Sequence, residues 1–494
     1  MSNPLITAIG HYAKHPDNPV ALETTEGNIT YRDLFTRVME MREQLQAAAV
    51  RHVGILCENG PLWVVVQLAA LDCGIPLTPI PSFFSSAQQR HVITQSGVDC
   101  LFTDNPAYVP DLNSEFAPHH SIVQAFYRSI EEVSLPNDTA LVTYTSGTTG
   151  QPKGVCLSLE HLLQISQDLT QLIADHNLRR HLCLMPLPVL LENVAGFFVP
   201  LLLGRTVGLY PTVQLGLSGS SQLDIGVFTR VLNTWRSDSL IVTPELLKVL
   251  VCLLAGEKLR HRPRYIAVGG SRVSISLLQQ ATGLGLSVCE GYGLSECGSV
   301  VTLNTPDYYR LGSVGKPLPH CRVEIARDGE IWVYGSQSLG YLGSTQRDSS
   351  RDGVATGDLG YFDNDGFLYI HGRKKNHIIT GFGRNVAPEW PEAELCGLAS
   401  IRQACVVGDG QTFLTAIIYP MPGVSEICIQ QDLDQINQRL PDYAQISAWI
   451  PAKAPFSTAN GQLTNNGRLK REVIAEVYRH QIQKIYLSQP AKTG

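Results

Sequence analysis

Residues 144–155 read Tyr144-Thr-Ser-Gly-Thr-Thr-Gly-Gln-Pro-Lys-Gly-Val155 and follow directly on the strand-like run Ala140-Leu-Val-Thr143. Four small hydroxyl residues, three glycines and one lysine in twelve positions make a loop suited to surrounding phosphate. The glycines let backbone N–H groups approach an anion closely, the hydroxyls of Thr145, Ser146, Thr148 and Thr149 add donors, and Lys153 adds a mobile positive charge. It is not a Walker loop. Five residues beyond Gly147 stands Pro152, where that motif needs its second glycine, and no Ser or Thr follows Lys153, so the kinase and GTPase readings fail on spacing.

The surrounding chain is ordinary globular material. With 494 residues it exceeds the usual size of one domain, so at least two are expected. It is 44% hydrophobic and 17% charged with a net charge of −6, and its largest basic run is Arg373-Lys-Lys375, which argues against nucleic acid as a partner. Twelve cysteines occur singly, without paired spacing or a histidine cluster, so a reducing, cytoplasmic setting is expected rather than disulfides or structural zinc. Met1-Ser-Asn-Pro-Leu-Ile6 lacks the basic and apolar regions of a signal peptide. The most apolar long run, 187–204, is interrupted by Pro188, Glu192, Asn193 and Pro200 and reads as buried core, not as a transmembrane segment.

Periodicity supplies the architecture. Thr30 is a candidate cap for a helix to about Ala49, with Leu34, Val38, Met41 and Leu45 on one face. Apolar runs at 53–57, 75–80, 99–103, 240–244 and 264–268 alternate with helical stretches such as 61–71 and 158–176, which predicts an α/β fold of helix-covered, mostly parallel sheets. From Gly312 the pattern changes to short alternating strands, a small β-subdomain, and beyond Lys375 to a compact α+β unit.

The 144–155 stretch resembles, residue for residue, the signature loop of the adenylate-forming superfamily: acyl-CoA synthetases, firefly-type luciferases and the adenylation domains of peptide synthetases. Glu290-Gly-Tyr-Gly-Leu-Ser-Glu296 is a second match, and Thr356-Gly-Asp358 with the run 363–373 is a third. Together with supporting segments they cover residues 30–471.

The resemblance implies an AMP-binding domain at 1–374 and a mobile lid at 375–494, with Lys375 as the hinge. It gives Thr145, Ser146, Gly147, Thr148, Thr149, Gly150 and Lys153 to the phosphates and Gly270, Ser271, Tyr292 and Gly293 to the adenine region. Ser295 falls to the α-phosphate, Glu296 to Mg²⁺, and Asp358 with Arg373 to the ribose. Val189, Glu192, Asn193 and Gly196 are placed on the wall of the acyl pocket, although Val189 stands where many relatives carry a histidine or an aromatic. The segment 378–388 resembles the loop that enters the site for thioester formation. At the catalytic lysine position this sequence has Arg468.

The implied activity is ATP- and Mg²⁺-dependent activation of a carboxylic acid, with a medium- or long-chain fatty acid expected, followed by transfer to coenzyme A. An acyl carrier protein with the same phosphopantetheine arm is the alternative acceptor. A non-catalytic nucleotide-binding relative is the alternative class, favoured only by Arg468.

Overall fold

The computed structural model describes residues 3–106, 109, 116–118, 122–129, 133–145, 152–218, 222–343, 353–381, 383–464 and 467–488. Two large sheets share one layer of helices. One runs in the order Gly340–Tyr341, Lys153–Ser158, Thr139–Thr145, Leu77–Pro79, Val53–Leu56, Cys100–Thr103, Ala125–Tyr127, Ala117–Pro118, parallel through its middle and antiparallel at both edges. The other has nine strands, with Val288–Tyr292, Tyr265–Val268, Ser239–Val242, Arg180–Leu182, Thr206–Leu209 and Val20–Thr24 as a parallel block.

The central strands are fully buried, as Val53-Gly-Ile-Leu56 illustrates, because helices cover both faces of a parallel sheet. The principal core joins Leu22, Val207 and Leu209 of one sheet to Val53, Ile55 and Phe102 of the other through helices Pro4–Ala13, Tyr31–Ala47, Pro61–Cys73 and Leu159–Ile173.

Local sequence accounts for the boundaries. Thr30 caps Tyr31–Ala47 in a reciprocal box with Asp33, and Leu34, Val38 and Leu45 are buried, while Met41 is only partly so. Pro61 opens its helix at the first turn, and Gly74 closes it at φ +69°. A strand over Val288–Tyr292 carries Tyr292 at its C-terminal end. The apolar run after Leu187 holds an element that no periodicity disclosed, a π-helix over Glu192–Phe198.

The small β-subdomain is a four-stranded antiparallel sheet of Arg322–Ile325, Glu330–Tyr334, Val354–Phe362 and Leu368–Arg373. Beyond it lies the α+β unit, three strands at Ile401–Val407, Leu414–Pro420 and Ile446–Pro451 with helices at Glu389–Cys396, Glu426–Asn437, Arg471–Val477 and Arg479–Ser488. This unit is held together partly by Arg471, whose guanidinium grips both carboxylate oxygens of buried Glu392. It docks onto the large domain through Lys248, whose ammonium donates to the carbonyls of Cys396, Leu398 and Ile401. Arg272, whose Nη1 donates to the carbonyls of Ile370 and His371 in the β-subdomain, lies over the Trp390 ring of the unit. Among the described residues no helix is long and apolar enough to cross a membrane.

Candidate active site

A cavity of about 1040 Å³ opens between the large domain and the α+β unit. One side of it is the hairpin of Thr139–Thr145 and Lys153–Ser158, whose register sets Thr145 opposite Lys153 and Tyr144 opposite Gly154. Thr145 and Lys153 line the cavity; Ser146, Gly147, Thr148, Thr149 and Gly150 lie outside the described residues. The ammonium of Lys153 stands 6.0 Å from the centre of the Tyr341 ring.

Tyr341 is a site residue that the sequence did not disclose. It sits on a two-residue strand paired with Val155, and its hydroxyl donates to Glu296 Oε1 at 2.7 Å. The adjoining Ser338 N–H donates to the Glu296 carbonyl, so residues 338–342 stitch the 139–158 hairpin to the Glu296 turn. That contact is long-range and leaves no local mark in the sequence.

Glu296 fits a hard divalent cation. It lines the cavity on a single helical turn, Ser295–Cys297, with Oε1 held in place by the Tyr341 hydroxyl and a second carboxylate oxygen to offer. When bound there, Mg²⁺ would neutralise phosphate charge.

Tyr292, Asp358 and Arg373 form one unit. Antiparallel pairing sets Asp358 directly across from Arg373, whose Nε lies 2.8 Å from Asp358 Oδ1, and the Tyr292 hydroxyl donates to Oδ2 at 2.7 Å. Burial pushes the Asp358 carboxyl above the usual carboxylate range, and Arg373 and the Tyr292 hydrogen bond work against that shift. Each carboxylate oxygen thus already has one donor and keeps a second lone pair. Gly270, Tyr292, Gly293, Ser295 and Arg373 line the cavity; Ser271 and Asp358 do not. Only glycine fits at 293, since a Cβ there would lie 1.9 Å from the Ser299 carbonyl oxygen.

Arg468 comes from the α+β unit. Its loop is pinned by the bridge between Leu463 and Leu469, by Thr464 N–H on the Arg468 carbonyl at 2.7 Å and by Arg468 N–H on Thr464 Oγ1 at 3.1 Å. The guanidinium lines the cavity, where desolvation and then Arg373 lower its pKa, opposed by Asp358, Glu296 and Tyr292. Lys470, the nearest other cation on that loop, does not line it. Nor does any described residue of 378–388, so in this arrangement Arg468 faces the site and that loop does not.

These features coincide with a family. The model for the AMP-binding enzyme matches residues 10–342, and that for the AMP-binding enzyme C-terminal domain matches residues 375–490. The chain belongs to the AMP-binding enzyme family. Among relatives of this AMP-binding enzyme, a 2-succinylbenzoate–CoA ligase of Bacillus pumilus is 28% identical over 81% of this chain and 84% of its own length. A long-chain-fatty-acid–CoA ligase of Mycobacterium bovis is 27% identical over 90% and 91%. The Bacillus subtilis O-succinylbenzoate coenzyme A synthetase in complex with AMP shares the fold at TM-score 0.72, covering 96% of this chain and 98% of that one at 24% identity.

The end of the AMP-binding enzyme's cavity where the acyl pocket was expected departs from expectation in its wall. Val189 lines it, as do Ala195 and Val199, but Glu192, Asn193 and Gly196 lie behind the surface. Asn193 exchanges hydrogen bonds with Gln67 and donates to the Leu187 carbonyl. Glu192 accepts from Met185 N–H and sits 3.0 Å from His181 Nε2. Gly196 backs that pair so closely that a Cβ would stand 2.0 Å from Glu192 Oε1. Glu192, Asn193 and Gly196, expected on the pocket wall, thus stand behind it: the two buried polar side chains find their partners inside the protein, and Gly196 packs against Glu192.

Glu290, two residues before Tyr292, carries a pH signature. Burial lifts its carboxyl to about 8, only partly offset by Gly312 N–H and Arg272. A folded value above the unfolded one means that ionising Glu290 penalises the fold, a penalty absent below the unfolded pKa and complete above the folded one. Glu290→Gln is expected to raise the melting temperature relative to wild type at about pH 9 and to change it little near pH 5, a difference worth up to a few kcal/mol. Equal shifts at both pH values would contradict a buried ionisation as the cause.

Proposed function

We propose that this chain is an AMP-forming acid–thiol ligase. The acid's carboxylate oxygen attacks the α-phosphorus of ATP, the bond to pyrophosphate breaks, and the resulting acyl-adenylate passes its acyl group to the sulfur of coenzyme A with release of AMP. The observation that carries this reading is the delivery of Arg468 by the α+β unit into a cavity lined by Thr145, Lys153, Ser295 and Glu296. That set needs no protein nucleophile: backbone donors, hydroxyls and cations neutralise developing charge and hold the reactants in line. A cation turned into the cavity also favours catalysis over the non-catalytic alternative.

Coenzyme A is the acceptor we favour, since the Bacillus and Mycobacterium relatives are named CoA ligases. For the acid, the 2-succinylbenzoate–CoA ligases favour an aromatic body, and the fatty-acid ligase supports the aliphatic reading from sequence. The test is product analysis with ATP, Mg²⁺, coenzyme A and candidate acids: AMP, pyrophosphate and thioester in equal amounts are expected, and ADP with phosphate would refute the reaction.

The two domains would meet at 374/375, with Lys375 as hinge. Its neighbour Lys374 is tied to Glu330 at 2.9 Å, so rotation would concentrate just beyond that anchor. Lys375→Pro is expected to spare adenylation and block thioester formation; equal loss of both would make Lys375 structural.

A further inference from the structure

We propose that the far end of the acid cavity is a polar subsite, formed by His181, Ser239, Tyr265 and Arg205, for a second anionic group on the acid, making the substrate a dicarboxylic acid. The proposal rests on the acid-activation reading above and names the substrate class for it.

Sheet register supplies the geometry. His181 pairs with Ser239 and Ser239 with Tyr265 across three adjacent parallel strands, so the three side chains stand in one row, and all three line the cavity. Two residues further along come Ile241 and Ala267, also lining, and two further still Thr243 and Gly269, beside the Gly270–Tyr292 region. At about 3.3 Å per residue, the polar row lies roughly 13 Å from the nucleotide end. The floor between is apolar, which suits an extended or aromatic body.

The chemistry of the row does not suit a plain alkyl terminus. The His181 ring lies between Ser239 Oγ, 2.9 Å from Nδ1, and buried Glu192 behind it, 3.0 Å from Nε2. The Glu192–His181–Ser239 chain holds the imidazole and the serine at the bottom of the pocket, so the surface presented there is polar instead of methyl-lined. Gly196 on the π-helix leaves the space that the Glu192 carboxylate fills. Arg205 brings a guanidinium to the same cavity, held by Nη2 on the carbonyls of Ile173 and Ala174, and Ile173 in turn packs with Tyr265. The Arg205 guanidinium is the donor for a carboxylate there, and Ser239 and Tyr265 line the same cavity as polar neighbours.

The test compares acid-dependent ATP–pyrophosphate exchange for pairs of monocarboxylic and α,ω-dicarboxylic acids of matched length, and for benzoates with and without a carboxyl-bearing side chain. Wild type is expected to show kcat/KM at least tenfold higher for the best diacid than for its monoacid partner. Arg205→Met and the smaller change Ser239→Ala should each lower that ratio severalfold, mainly through KM for the diacid; Ser239→Ala keeps the test decisive if Arg205→Met does not fold. Exchange that favours monoacids, or variants that lower both members equally, would overturn the subsite while leaving acid activation standing. No exchange with any acid would overturn the activation reading and this proposal with it.

Discussion

Arg468→Ala is expected to lower acid-dependent pyrophosphate exchange by about 10²–10³-fold, the loss seen when one preorganised donor to a developing charge is removed. The guanidinium lines the cavity with Lys153 and Arg373, and of the cations on its own loop it alone does so among the described residues. Arg468→Lys should fall between, because a compact ammonium lacks the planar fork that can contact carboxylate and phosphate oxygens together. Thioester formation from preformed acyl-adenylate should survive both changes. An alanine variant that adenylates normally would move the role to another cation, and a lysine variant more active than wild type would show that the native arginine impairs the site.

Asp358→Ala is expected to weaken ATP binding by about 10²-fold or more, measured by calorimetry. The carboxylate organises Tyr292 and Arg373 at 2.7 and 2.8 Å, so its removal strips two donors of their acceptor besides any bond to the ribose. Two charge-assisted bonds from the ribose hydroxyls, each worth about 1.5–3 kcal/mol, would account for that loss, since the bonds to Tyr292 and Arg373 are made without ATP. Asp358→Asn, which keeps an acceptor oxygen, should fall less far. Near-normal affinity in the alanine variant would remove Asp358 from the nucleotide site.

What the sequence disclosed and what it concealed divide along physical lines. Runs that carry their own signal were legible: the Thr30 cap, the fully apolar strand at 53–56, and the short motifs ending at Val155, at Glu296 and at Arg373. Residues that reach the site through long-range pairing were not. Tyr341 enters because its strand pairs with Val155, and His181, Ser239 and Tyr265 become one row only when three separate strands lie in register. The π-helix at Glu192–Phe198 turned a segment expected to face the acid so that Glu192 and Asn193 point into the protein. A helix with a different residue count per turn cannot be placed from apolar spacing alone.

The most direct measurement is ATP–pyrophosphate exchange by the purified wild-type chain with Mg²⁺ across a panel of aliphatic, aromatic and dicarboxylic acids. The account predicts exchange that depends strictly on an acid, peaks within one class of the panel and needs no coenzyme A. Tight ATP binding with no exchange for any acid would contradict it and leave a nucleotide-binding protein without adenylation chemistry.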